Sequence, residues 1–172
     1  ATIAEADPTS LISKNLSLNG RKVLIGEDSV CTEDFADIFV IGAGKAGKKM
    51  AEGLNLALEA KITSGLLNIP ARETSFCGKI ELHPASHPIP DHSGVLGAKR
   101  ILEIAGKAEK NDLVICLLSG GGSSLLPMPA PEIALENKQW LTGQLLRSGA
   151  VIDEINTVRK HLSAIKGGLL AK

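Results

Sequence analysis

Aromatic residues are scarce in this sequence. There is no tyrosine, one tryptophan and three phenylalanines in 172 residues. With 44% apolar residues a real core is still available, but it has to be built from Leu, Ile, Val and Ala. Charge bias is absent too: 19 Lys plus Arg balance 19 Asp plus Glu, which excludes a nucleic-acid or membrane-surface role driven by net charge. A local basic patch stays open. The three cysteines, Cys31, Cys77 and Cys116, are odd in number and lack CxxC spacing, so they read as ordinary thiols of a reducing, cytoplasmic compartment. Cys116 is expected in the core of its strand. No apolar segment reaches membrane-spanning length and no signal peptide precedes the domain. Without an initiator Met, and ending at Gly-Gly-Leu-Leu-Ala-Lys172, the chain is expected to be part of something longer. Its length suits one domain over residues 1–172.

The sequence is organised around Asp112-Leu-Val-Ile-Cys-Leu-Leu-Ser-Gly-Gly-Gly-Ser-Ser-Leu-Leu126. The apolar run Leu113–Leu118 predicts a parallel strand buried on both faces. It leads directly into Ser119, Gly120, Gly121, Gly122, Ser123 and Ser124. Glycines let successive backbone N–H groups face one point, and serine hydroxyls can cap a helix or bond phosphate oxygens. The loop is either a flexible turn or an anion cradle, and its place at a strand's carboxyl end favours the cradle.

A second strand–glycine–helix unit is Asp37-Ile-Phe-Val-Ile-Gly-Ala-Gly-Lys-Ala-Gly-Lys-Lys-Met50. Ala46, Met50, Ala51, Leu54, Ala57 and Leu58 share one helical face. Gly42-x-Gly44-x-x-Gly47 satisfies a dinucleotide pattern, but the following strand, Ser64–Ile69, offers Asn68 where a ribose needs a carboxylate. A P-loop reading places Lys49 where a Ser or Thr should bind magnesium. What remains is Lys45 in a turn at a helix N-terminus, where a cation is disfavoured without a neighbouring anion. It is either a solvated lysine or one aimed at a phosphate or carboxylate.

Elsewhere, Asp7-Pro8-Thr9-Ser10 predicts a helix start with Leu11, Ile12 and Leu16 on its buried side. Arg21–Ile25 and Lys79–His83 are strand candidates. In His83-Pro-Ala-Ser-His-Pro-Ile-Pro-Asp-His-Ser93, Asp91 or Ser93 can cap a helix whose buried face is Val95, Ala98, Ile101, Leu102 and Ala105. The histidines lack metal-site spacing, so no metal ligation is expected of them. His87 and Asp91 are read as rim residues of a ligand cleft, or as cap and turn. A helix is expected from Glu132 to about Ser148. The last helix carries Val151, Ile155, Val158, Leu162 and Ile165 as a buried stripe, opposite Asn156, Arg159, Lys160, Ser163 and Lys166. A face of one sign beside two glycine loops suggests an anion site.

Four motifs now occur in order: Val40-Ile-Gly-Ala-Gly-Lys-Ala46, Ser86-His-Pro-Ile-Pro-Asp91, Leu118-Ser-Gly-Gly-Gly-Ser-Ser124 and Glu154-Ile-Asn-Thr-Val-Arg-Lys-His161 with Lys166-Gly-Gly168. Together they closely resemble the ATP-dependent class II, or MOFRL-type, glycerate kinases, whose opening Ala6-Asp7-Pro8 also resembles. The resemblance implies a Rossmann-like α/β fold, with a mostly parallel sheet and helices on both faces. It implies transfer of the ATP γ-phosphoryl group to D-glycerate with Mg2+, and a second domain of the same protein that this chain lacks. By position, Lys45 would act at the transferring phosphate, and the loop with Gly42 and Gly44 would bind nucleotide. Arg159 and Lys160 would serve catalysis, with His87, Asp91, Asn156 and Lys166 near the substrate. His92 departs from the family pattern, standing where an acidic residue commonly follows Pro-Asp. Two other readings stay open: an NAD(P)-dependent hydroxypyruvate reductase, which the missing ribose carboxylate speaks against, and a non-catalytic phosphate- or anion-binding module. The chain alone is expected to be inactive.

Overall fold

The computed structural model describes residues 7–19, 22–31 and 35–172. Helix α1 (Pro8–Asn15) starts as the sequence expects: the Asp7 carboxylate accepts the Ser10 N–H at 3.1 Å. The same carboxylate holds Lys49 of the next helix at 2.7 Å. Leu11 is exposed and Leu16 belongs to the following strand, so only Ile12 of the expected face packs from the helix itself. Three short strands, β1 (Leu16–Asn19), β2 (Lys22–Ile25) and β3 (Asp28–Cys31), form a separate antiparallel sheet. Ala6 and Arg21, which the expectations included, lie outside the described residues.

The main unit follows in order: β4 (Ile38–Ala43), α2 (Gly47–Leu58), β5 (Ser64–Ile69), β6 (Ser75–Cys77), β7 (Ile80–Pro84), α3 (His92–Lys107) and β8 (Leu113–Leu118). Sheet order is β6-β7-β5-β4-β8, parallel throughout except for β6. Alternation along β4 explains the layers. Val40 packs with Ala51, Leu54 and Leu58 on the α2 side, while Ile41 packs with Ala98 and Ile101 on the α3 side. This is a Rossmann-like, three-layer α/β fold. Arg100 of α3 grips Glu81 of β7 through two 2.6 Å bonds, which hold that carboxyl below its ordinary range.

Sheet order places the site. From β4 the chain first builds toward β5 and β7, then returns to add β8 on β4's other side. The carboxyl ends of β4 and β8 thus flank the point where strand order reverses, the position at which open α/β sheets bind ligands.

Two expectations about β8 need correction. It is an edge strand of the described sheet, so Val114, Cys116 and Leu118 are exposed and only Leu117 is buried. The uninterrupted apolar run does not distinguish an edge from a centre, because both carry the same letters.

After β8 come α4 (Gly122–Leu125), α5 (Leu135–Arg147) and α6 (Ile152–His161). The stripe predicted for the last helix is also corrected. The helix stops at His161, Val151 is 63% exposed and Val158 37%, and only Ile155 is buried within it. Ile165 is buried beyond the helix end, where the chain turns back against α4's neighbourhood.

Candidate active site

The two glycine turns meet, but not as two parallel anion cradles. The Lys45 N–H donates to the Gly120 carbonyl (2.8 Å), the Ala46 N–H to Ser119 Oγ (3.1 Å) and the Gly44 N–H to the Asn68 carbonyl (3.1 Å). Lys45 and Ala46 therefore spend their amides on holding the second turn, and Gly44 spends its own on β5. Gly42 and Gly44 have φ of +150° and +156°, and a Cβ on either would strike the Leu117 carbonyl or the Ser119 hydroxyl. Close strand packing accounts for both residues as glycine.

The second loop keeps donors free. Ser119 N–H donates to the Ala43 carbonyl, Gly122 N–H to Ser119 and Ser124 N–H to Gly121. The N–H groups of Gly120, Gly121 and Ser123 find no protein acceptor among the described residues. The Lys45 stem lies along this loop: Cβ positions built on Gly120 and Gly121 fall 3.7 Å from its Cε and 3.1 Å from its Cγ. The His87 ring also borders Gly121, with Nε2 3.0 Å from the same Cβ position. Lys45 and His87 are both exposed. Lys45, His87 and the free amides of Gly120 and Gly121 form one surface.

Asp91 is employed otherwise. Its Oδ1 accepts the Gly94 N–H at 2.8 Å as the cap of α3, and Oδ2 accepts the Ser86 hydroxyl at 2.8 Å. Burial alone would raise its pKa, but these bonds outweigh it and leave the carboxyl below its ordinary range. It shapes the segment that carries His87. The adjoining His92 bonds Glu136 of α5 at 3.1 Å, and Gln139 donates to the Pro90 carbonyl, so α5 is tied to this segment.

On the loop's far end lies a second basic group. Lys166 Nζ donates to the Ser123 carbonyl (3.2 Å) and approaches that of Leu126 (3.5 Å). Near it are Arg159 of α6 and Lys138 of α5. Burial, reinforced by the other two cations, lowers Lys166 to about 8. Burial, then Arg159, lowers Lys138 to about 8 as well. Arg159 is also lowered by burial, and its Nε is enclosed without an acceptor. Lys138 is only 3% exposed. The sequence reading missed it because Glu-Asn-Lys-Gln looks like an ordinary solvated helix face. By contrast Asn156 and Lys160 are exposed, and Ser163 is buried after the helix, donating to the Met128 carbonyl at 3.1 Å.

A cavity of about 910 Å³ runs from Ser119, Gly121 and Ser123 past Lys166 to the apolar outer face of β8, at Val114, Cys116 and Leu118. Lys45, His87 and Arg159 do not line it. The loop is thus a partition, with Lys45 and His87 touching it at Gly121 and Lys166 at Ser123. Among the described residues no group of three His, Cys, Asp or Glu side chains is placed to hold a metal. No described helix is long and apolar enough to cross a membrane.

Compared with known protein families, residues 1–172 match in full the one described as a domain of unknown function, DUF4147. The chain belongs to the DUF4147 family. The resemblance to glycerate kinases drawn from the four motifs is borne out by the relatives that the chain matches. A Pyrococcus horikoshii protein named glycerate 2-kinase is 38% identical over 170 residues, 99% of this chain and 38% of that protein. A Thermotoga maritima D-glycerate 2-kinase is 41% identical over 136 residues, 78% of this chain and 33% of that one. An Agrobacterium vitis protein named putative hydroxypyruvate reductase is 39% identical over 172 residues, which is 36% of its length.

Solved structures agree. A Pyrococcus horikoshii crystal structure superposes with a TM-score of 0.89 at 37% identity, covering 96% of this chain and 37% of that one. A Thermotoga maritima glycerate kinase gives 0.70 at 40% identity, over 80% of this chain and 34% of its own. This DUF4147 chain spans little more than a third of the length of these relatives.

Proposed function

We propose that this chain supplies the nucleotide-facing part of an ATP-dependent D-glycerate kinase of the glycerate 2-kinase type, working in the cytoplasm. The observation that carries the reading is the contact of Lys45 with a glycine loop whose Gly120, Gly121 and Ser123 amides are unspent. Phosphoryl transfer needs positioning and neutralisation of phosphate charge more than covalent chemistry. A lysine beside unspent backbone donors answers that need, and the strand-order reversal puts both where a nucleotide approaches. Lys45 would hold the charge of the terminal phosphoryl oxygens, while the loop amides orient the chain of phosphates. His87 would close the rim. Magnesium, which kinase chemistry implies, fits no three-ligand cage among the described residues, so it would arrive held chiefly by the triphosphate itself.

The reductase name carried by some relatives finds less support. Asn68 at the end of β5 is fully buried, donating to the Gly94 (2.9 Å) and Leu125 (2.7 Å) carbonyls, so it offers nothing to a ribose. The amides of Gly44, Lys45 and Ala46 are already taken. A bare anion-binding module would use the same loop without preferring a nucleotide.

Calorimetric titration of the chain with ATP and magnesium tests the reading. Lys45→Ala is expected to weaken binding by roughly tenfold or more, the scale of one charge-assisted contact. Lys48→Ala, one turn away and exposed, is expected to leave it unchanged. Equal affinity in Lys45→Ala, or binding of NADH in place of ATP, refutes the reading.

A further inference from the structure

One buried residue is tied to all three segments of the candidate site. Asn68 stands near the carboxyl end of β5, level with Ala43 of β4 and fully buried. Its carbonyl accepts the Gly44 N–H at 3.1 Å, beside Lys45 in the first turn. Its side-chain Nδ2 donates to the Leu125 carbonyl at 2.7 Å, on the last residue of the one-turn helix that closes the glycine loop. The same nitrogen donates to the Gly94 carbonyl at 2.9 Å. Gly94 in turn donates to Asp91 Oδ1, and Asp91 holds Ser86, the neighbour of His87.

These contacts matter because α4 cannot place itself. A helix of four residues makes too few internal bonds to offset the cost of nucleating it. On its amino side the loop is held by the Ser119 N–H on the Ala43 carbonyl and by the Lys45 N–H on the Gly120 carbonyl. On its carboxyl side, among the described residues, no backbone N–H reaches the Leu125 carbonyl, and the Asn68 carboxamide ties that carbonyl to the sheet. The unspent amides of Gly120, Gly121 and Ser123 lie between these two ties, so their aim follows from both.

Packing alone would not call for this residue. Leu66, Leu67 and Ile69, its neighbours along β5, are buried aliphatic side chains. Asn68 also keeps an enclosed Oδ1 without a donor, which costs stability. Gly97 of α3 leaves room for that oxygen, since a Cβ there would fall onto it. An under-satisfied carboxamide among aliphatic neighbours is favourable only through its two N–H groups, and both are spent on walls of one site.

We propose that Asn68 is a positioning residue for phosphate binding. It sets the aim of the Gly120, Gly121 and Ser123 amides relative to Lys45 without touching the nucleotide. The ligand rests on the kinase reading; the placement of the loop by Asn68 does not.

Three variants of the chain test it. Asn68→Asp keeps the shape and puts oxygen against both carbonyls, while Asn68→Ser withdraws the amide from both and buries no charge. Ile80→Val, equally buried but at the amino end of β7, lowers stability away from the site. Affinity for ATP with magnesium is read by calorimetry under conditions where each chain is folded, and the Gly120, Gly121 and Ser123 amide signals are read by NMR before nucleotide is added. Both Asn68 variants are expected to weaken ATP by roughly tenfold and to displace the three amide signals. Ile80→Val is expected to lower the urea midpoint and leave affinity and loop signals as in the parent.

Parental affinity in whichever Asn68 variant folds, or loop signals that stay in place, overturns the proposal. So does an equal loss of affinity in Ile80→Val, because destabilisation would then be the cause. If the parent binds ATP through Lys45 and Asn68→Ser changes neither readout, this inference falls and the kinase reading stands. If the parent binds no ATP while Asn68→Ser still displaces the loop signals, the kinase reading falls and the placement of the loop by Asn68 stands.

Discussion

At the scale of single residues, Lys138 and Lys166 carry a pH signature. Both are lowered from an ordinary 10.5 to about 8 in the folded chain, by burial first and by neighbouring cations second. Between those values the unfolded chain binds more protons than the folded one, so stability has to rise with pH across that window. One group works against the trend inside that window: the Cys116 thiol, whose sulfur is partly covered although the residue lies on the exposed edge strand, is raised from an ordinary 9.0 by burial and favours the folded state less as it deprotonates. Lys49, raised by Asp7, does so only above its ordinary 10.5. Comparison with Lys138→Met isolates the contribution. Without added anion, that variant is expected to be at least as stable as the parent at neutral pH, with a flatter rise from pH 8 to 10 in urea unfolding series. A clear loss of stability at pH 7 would mark Lys138 as a packing residue. Such a lysine was illegible in the sequence, since nothing local separates an enclosed Lys138 from an exposed Lys160. Lys45 was legible because glycines surround it and a helix begins just after it.

Among elements, the two glycine turns show how similar letters take different work. Both were read as anion-facing, yet Gly42 and Gly44 serve the approach of β4 to β8, and only the second loop retains unspent amides. Gly44→Ala would bring its Cβ onto the Ser119 hydroxyl and within 2.8 Å of the Ser119 nitrogen. A backbone held on both sides cannot yield cheaply, so a loss of roughly 2 kcal/mol or more is expected, with the urea midpoint as readout. Gly120→Ala has room, its nearest neighbour being Lys45 Cε at 3.7 Å, and should change stability by less than about 0.5 kcal/mol. Equal effects would mean that the turns are interchangeable spacers. Strand and helix existence was legible throughout this region, because buried β-branched runs and capped amphipathic stretches carry their own local signals. Burial was not. The regular spacing of Val151, Ile155 and Val158 is compatible with a covered or an open helix face, and the apolar letters of β8 suit a central or an edge strand. Which of these holds depends on neighbours distant in sequence, or on none being there.

The whole molecule joins these observations through sheet order. One reversal, β8 returning to the far side of β4, brings together loops separated by more than seventy residues and makes a site from turns that are individually commonplace. Alternating strands and helices made the α/β class readable in advance, whereas the order of strands in space was not written in any local pattern. The chain spans little more than a third of its relatives, and among the described residues no carboxylate pairs with Lys45. A cation supplied to the transition state of phosphoryl transfer contributes about 10³–10⁵ in rate. The isolated chain is therefore expected to bind ATP with magnesium yet release ADP in the presence of D-glycerate at least about a thousandfold more slowly than a polypeptide of the relatives' full length. A coupled ADP assay run on both, at matched nucleotide saturation, decides it. Comparable rates would show that the chemistry needs nothing beyond Lys45, the glycine loop and the cationic group, and would refute the division of the active site proposed for this chain.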